Sequence, residues 1–135
     1  MNRWILKTDS DVYPFDQLER ERQAVWDGVS NPVALRHIRG MAPGDALMIY
    51  HSGARKEIVG LATVRSNPYP DPKRKDPKLV VVDIASDRRL PKTVSLADIK
   101  ADPAFADLGL VRMPRLSVMP VTEAQWNKLL AMAGG

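Results

Sequence analysis

A chain of 135 residues, 44% hydrophobic and 27% charged, is long enough to bury about 68–70% of its unfolded surface around one core and too apolar to be disordered. It has no cysteine, which excludes disulfides, thiolate metal sites and cysteine nucleophiles. Its net charge of +4 suits a polyanionic partner without specifying one. No apolar run nears the ~20 residues of a membrane span, and Met1-Asn2-Arg3-Trp4 opens no signal-peptide core. A cytoplasmic, monomeric, single-domain protein with no membrane partner is the expectation.

Arg3 to Lys7 reads as a first strand, followed by a turn-rich loop from Thr8 to Pro14. Phe15 to Arg22 suits a short helix with Asp16 as a cap and Leu18 facing inward. Ser30-Asn31-Pro32 starts a second helix, since Pro fits the first turn and Ser or Asn caps it; Gly40 ends it after Arg39. Pro43-Gly44-Asp45 turns into a strand, Ala46 to His51. Glu57 to Arg65 returns antiparallel to it, with Gly60 marking a bulge or a close backbone approach. Asn67 to Lys78 holds Pro68, Pro70, Pro72 and Pro77, which predicts no regular element.

Leu79 to Ala85 is β-branched and apolar, the best strand in the chain, and continues toward Leu90. Ser95 with Asp98 predicts a capped helix from Leu96 to Ala101, and Pro103 to Asp107 another helical turn. Arg115 to Val121 alternates as a strand. Thr122 with Gln125 caps a last helix to Ala133, with Trp126, Leu129 and Leu130 as its apolar stripe. Together these elements predict an α+β domain: a mostly antiparallel, partly closed sheet with short helices over its ends.

Candidate site residues cluster in two places. Val25-Trp26-Asp27-Gly28-Val29-Ser30-Asn31 sets an aromatic and a polar amide around a Gly turn, and Tyr50-His51-Ser52-Gly53 closes a strand with an aromatic, an imidazole and a hydroxyl. A flat, hydrogen-bonding ligand such as a nucleobase needs a stacking face and a few polar groups for its edge. Trp26 suits a core position as well as a ligand platform. Tyr50 and His51 alternate along a strand and so face opposite sides. Lys7 and Thr8 end the first strand, where a lysine meets either a phosphate, a base carbonyl or solvent. Arg115, near Ser117, is equally open. His37 is assigned no role. With two histidines and no carboxylate at matching spacing, no metal site is expected, and no phosphate-binding glycine loop is present. Lys73-Arg74-Lys75 with Lys78, and then Arg88, Arg89 and Lys92, offer either a phosphate-binding patch or a solvated charged loop.

The order and spacing of several motifs resemble the EVE domain, a branch of the PUA-like superfamily. They are Trp4-Ile5-Leu6-Lys7-Thr8, the Val25 to Asn31 segment, Gly44-Asp45 leading into Ile49-Tyr50-His51-Ser52, and Ile58 to Val64. Tyr69-Pro70-Asp71-Pro72, Leu90-Pro91, Ser95-Leu96 and Arg115 to Val121 complete the set. The resemblance implies a PUA-like, mostly antiparallel, partly closed β-barrel with short flanking helices and a pocket at one end. It further implies a non-catalytic reader of a modified base in DNA or RNA, without a cofactor. Trp26 and Tyr50 or His51 would be pocket walls, and Lys7, Thr8, Asn31, Ser52 and Ser117 the polar lining. Lys73, Arg74, Lys75, Arg88, Arg89 and Arg115 would hold phosphates. The family's Lys-Ser-Glu-Pro after the first strand is Lys7-Thr8-Asp9-Ser10 here. A related branch of the superfamily includes amidohydrolases, so a small enzyme using Lys7 with Thr8 or Asp27 is the alternative, and an interaction protein with a vestigial pocket a third reading.

Overall fold

The first strand, β1 (Arg3–Asp9), runs parallel to β3 (Ala46–Ser52) over its whole length, from Arg3 opposite Ala46 to Asp9 opposite Ser52. A parallel partner cannot be reached by a hairpin, so the chain between them crosses over through α1 (Phe15–Glu21), β2 (Gln23–Trp26) and α2 (Pro32–Arg39). The computed structural model, which describes residues 1–135, then pairs β3 with β4 (Glu57–Val64), β4 with β6 (Val80–Ser95), and β6 with β2, all antiparallel. A short β7 (Val118–Pro120) lies on the outer edge of β1. The strand order is therefore β2-β6-β4-β3-β1-β7, a mixed sheet that curls into a half-barrel with a few short helices.

Bulges supply the curl. Val59 is the extra residue where Ile49 opposite Gly60 is followed by Tyr50 opposite Ile58. Between Gly60 opposite Arg89 and Ile58 opposite Val94, β6 carries a longer detour that includes Pro91. Pro has no N–H for the ladder and is tolerated at such an irregularity. The bulges bend β6, which extends to Ser95, well past Leu90.

Three other elements differ from the sequence expectations. The edge strand β2 follows α1 directly, because Arg22 takes a left-handed φ of 67° and turns the chain sharply. Only Ala24 and Trp26 of its four residues point inward, too short a pattern to recognise. The proline-rich segment is not wholly irregular: Tyr69–Pro70 (β5) pairs with Val80 and Val81 at a sheet edge, where a proline costs no ladder bond. The expected strand from Arg115 narrows to Val118–Pro120, and the segment before it holds an unforeseen turn of helix, α4 (Gly109–Arg112). The remaining helices are α3 (Leu96–Lys100), a 3-10 turn at Pro103–Phe105 and α5 (Glu123–Met132). Thr122 and Gln125 close a reciprocal capping box on α5.

The start of α1 is satisfied in an unusual way. Pro14 occupies the cap position without a side-chain bond and Asp16 sits in the first turn, so Asp16 is not the cap. Instead the Phe15 N–H donates to Nε2 of His51, 3.0 Å away on β3. The Phe15 ring, 1% exposed, lies against the bare backbone of Gly60, where a Cβ would overlap it. No helix is long and apolar enough to cross a membrane.

Two outcomes follow for stability. Gly60→Ala forces the Phe15 ring to move, so urea unfolding should show a loss of roughly 1–3 kcal/mol, the usual cost of overpacking. Combined with Phe15→Leu, the loss should be less than the sum of the two singles, because the residues share one contact. The second outcome concerns pH. Burial, opposed by Glu57 and aided by Arg89, holds the His51 pKa below its ordinary 6.5. As pH falls, the unfolded chain takes the proton first. The bond from Phe15 therefore contributes fully above about pH 6.5, and its contribution is lost as pH drops through the lowered folded value. His51→Gln keeps an acceptor that does not titrate, so its stability between pH 7.5 and 5 should fall less steeply. His37, also lowered by burial and then by Arg36, contributes to the remaining slope with the same sign.

Candidate functional site

A hollow of about 470 Å³ opens where β1 and β2 both end. One wall is Trp26, the last residue of β2, held opposite Val82 in the ladder and 7% exposed. Gly28 follows at φ 77° with open space around it, so the chain can turn away and leave the indole at the rim. Tyr13 stands edge-on to Trp26, ring centroids 6.0 Å apart at 80°. Its phenol donates to Glu21 at 2.5 Å; burial and that bond raise its pKa above the usual tyrosine range, so it stays neutral. Thr8 ties the loop to β1, its hydroxyl donating to the Tyr13 carbonyl at 2.8 Å. Lys7, Thr8 and Ser117, with the carboxylates of Asp9 and Asp27, give the hollow its polar side. Val12 and Val25, 76% and 46% exposed, form uncovered apolar lips.

Lys7 divides this hollow from its neighbour. Its ammonium donates to the Pro114 carbonyl at 2.8 Å and lies 5.6 Å from the centre of the Tyr50 ring, while burial lowers its pKa. It makes no hydrogen bond to Thr8, whose hydroxyl is turned to Tyr13. The neighbouring hollow, about 300 Å³, is lined by Tyr50 and Ser52 together with Lys56, Lys100 and Pro114. Tyr50 is 3% exposed, with its pKa raised by burial.

The structure thus gathers Trp26, Lys7, Thr8 and Ser117 into one place, and sets the other expected residues elsewhere. Tyr50 and Ser52 line the second hollow. His51 is occupied under α1. Asn31 caps α2, its carbonyl accepting from the N–H groups of Val33 at 2.9 Å and Ala34 at 3.1 Å; it rims a third hollow of about 360 Å³ with Arg112 and Arg115. Sequence reasoning overlooked Tyr13, Val12 and Val29 in the Trp26 hollow. The one available signal was an aromatic placed directly before a proline in an otherwise polar loop.

The expected phosphate contacts are divided in the same way. Arg89 is held by Asp16 and by Glu19 at 2.5 Å and stacks 5.3 Å from the Phe15 ring centre. Arg74 lies 4.0 Å from the buried Asp71, and Arg88 reaches the Gly135 carbonyl at 3.4 Å. Lys73 borders a depression that it shares with Glu21, Asp27 and Asp83. Lys75 is exposed. Arg115 stands beside Arg112. No group of three or more His, Asp or Glu side chains is placed to hold a metal ion.

Known proteins share this architecture. Thymocyte nuclear protein 1 from Mus musculus is 26% identical over 165 residues, covering 97% of this chain and 73% of that protein. A solved protein from Rhodopseudomonas palustris superposes with a TM-score of 0.94 at 39% identity, covering 99% of this chain and 94% of that one. Human THYN1 in complex with 5-methylcytosine-containing DNA gives 0.88 at 22% identity, with 100% and 99% covered, a likeness of fold. The YTH domain of Zygosaccharomyces rouxii MRB1, in complex with N6-methyladenosine RNA, gives 0.62 at 14%, with 98% and 86% covered. The expected PUA-like fold is therefore the observed one. The EVE domain model matches residues 2–132, and the chain belongs to the EVE domain family.

Proposed function

We propose that this protein is a non-catalytic nucleic-acid-binding module that takes one modified base, turned out of its strand, into the hollow beside Trp26 and Tyr13. The observation that carries the reading is the hollow itself. It falls within the roughly 300–1,000 Å³ of small-ligand sites, with aromatic walls, a polar side of Lys7, Thr8, Asp9, Asp27 and Ser117, and two valine lips left bare to solvent. Apolar walls reward an added methyl group, and polar groups at one side read an edge. Two proteins of the same fold are named as complexes with methylated DNA and methylated RNA, which supports the ligand class. Lys7 has its ammonium bonded to a backbone carbonyl, which suits a group that holds a ligand rather than one that attacks it.

Binding should be measured with short DNA and RNA strands carrying 5-methylcytosine or N6-methyladenine, each against its unmodified twin. One methyl group in an apolar pocket is worth about 1–3 kcal/mol, so at least one modified strand should bind about tenfold or more tightly. Val12→Glu lies at an exposed lip and should melt like the parent, within about 0.5 kcal/mol, yet should erase most of that preference. Trp26→Ala should lose affinity by about ten- to a hundredfold from stacking and should also melt lower, by about 3–5 kcal/mol, since the indole is core as well as wall. Asn31→Ala should cost about 0.5–2 kcal/mol as a lost cap and leave the preference intact. Equal binding of every modified and unmodified pair by the parent protein would overturn the reading.

A further inference from the structure

Five exposed cations, Arg55, Lys56, Lys100, Arg112 and Arg115, line three adjoining hollows. The first, about 370 Å³, holds Arg55, Lys56 and Lys100. It shares Lys56 and Lys100 with the Tyr50 hollow, which in turn shares Pro114 with the hollow of Arg112 and Arg115. Lys7 joins this series to the Trp26 hollow, because it lines both that hollow and the one beside Tyr50. None of the residues lining the three hollows is an Asp or a Glu. The ion pairs of the protein involve Arg74, Arg89 and Lys128 instead, so these five cations have no carboxylate partner.

The contrast with the proline-rich loop decides the direction of approach. On that side Lys73 shares its depression with Glu21, Asp27 and Asp83, and a polyanion entering there meets carboxylates first. On the Pro114 side it meets hollows whose lining residues include cations and no acid, and reaches carboxylates, Asp9 and Asp27, only at the Trp26 hollow itself. We propose that Arg55, Lys56, Lys100, Arg112 and Arg115 form the track for the sugar-phosphate backbone of the same strand whose base enters the Trp26 hollow, with Lys7 at the junction. This inference rests on the base-binding reading above. It assigns the phosphate contacts to a set that shares only Arg115 with the expectation from sequence. Phosphate contacts position a strand without reading it, so the track serves every sequence alike.

The test uses the full chain, with a modified single strand as DNA and as RNA, and salt titration of each variant. Arg112→Gln with Arg115→Gln, and separately Lys56→Gln with Lys100→Gln, remove charge without adding repulsion. Each double variant should weaken modified and unmodified strands alike by about tenfold at moderate salt, and should flatten the log–log salt dependence by about 1.4 for two contacts on a single strand. Lys73→Gln, Arg74→Gln and Lys75→Gln together should stay within about twofold of the parent. Melting temperatures equal to the parent's confirm that the variants fold. The free modified nucleoside, which has no phosphate, should bind the track variants as well as it binds the parent.

Strand binding insensitive to both double variants, or lost with the loop variant instead, overturns the track while leaving the pocket standing. Track variants that weaken strands, in a protein that shows no modified-base preference and no nucleoside binding, sustain the track and sink the base reading alone. No binding of any strand by the parent overturns both.

Discussion

The parallel pairing of β1 with β3 is the constraint from which the rest of the molecule hangs. No tight turn can fix its register, because the two strands are separated by two helices and a strand. Asp45 does so at the start of the pair. Its buried carboxylate, 3% exposed, accepts from the N–H groups of Asn2 and Ala42 and from the Trp4 indole, each at 3.0 Å. Three donors are what a buried carboxylate needs to offset its lost hydration. With Arg3 thus set opposite Ala46, Lys7 must fall opposite Tyr50 and Thr8 opposite His51. A slip of one residue would reverse both faces, sending Lys7 away from Pro114 and Thr8 away from Tyr13.

From that register the walls of the hollow follow in sequence. His51, facing the other side from Tyr50, meets the first N–H of α1. That bond and the fit of Phe15 on Gly60 place α1, whose Glu21 then holds the Tyr13 phenol. Tyr13 stands against Trp26, and Trp26 is positioned by a four-residue edge strand paired only to β6. One wall is therefore anchored in the middle of the sheet and the other at its margin. A margin that carries few ladder bonds opens at lower free energy than the centre, so the side with Trp26 and Val25 is the side able to adjust to a ligand. Lys7, with its backbone bonded to Ser117 and its ammonium to Pro114, is the fixed side.

How much of this was legible in the sequence depends on whether the signal was local. The β-branched run at Leu79 to Ala85, the caps at Asn31, Ser95 and Thr122, and the tight approach at Gly60 all express themselves within a few residues, and all are present. The parallel partner of β1 left no trace, because periodicity tells which face of a strand is apolar and not which strand lies beside it. Asn31 shows the limit for site residues. An amide before proline suits a helix cap and a ligand contact equally, and only the position of Val33 and Ala34 decides between them. Tyr50 and His51 were correctly expected to face opposite ways, but neither residue reaches the hollow walled by Trp26. Tyr13 was missed because a loop has no period from which its direction can be read.

Charge illustrates the same difference between a sum and a placement. Twenty basic residues against sixteen acidic ones describe a mildly cationic chain, and the densest basic run in the sequence is Lys73-Arg74-Lys75. The field at a surface depends on what lies beside each charge. Asp71 and Asp76 are neighbours of that run in sequence, and the fold brings Glu21, Asp27 and Asp83 to Lys73 as well. Asp16 and Glu19 neutralise Arg89 in the same manner. The cations at 55, 56, 100, 112 and 115, an adjacent pair and three single residues in the sequence, converge from a turn, two short helices and the approach to β7, and no acid is among the residues that line their hollows. These three hollows are left without acids in their lining because Asp9, Glu21, Asp27 and Asp83 line the hollows on the Trp26 side. That segregation is a property of the fold, which no count along the chain contains.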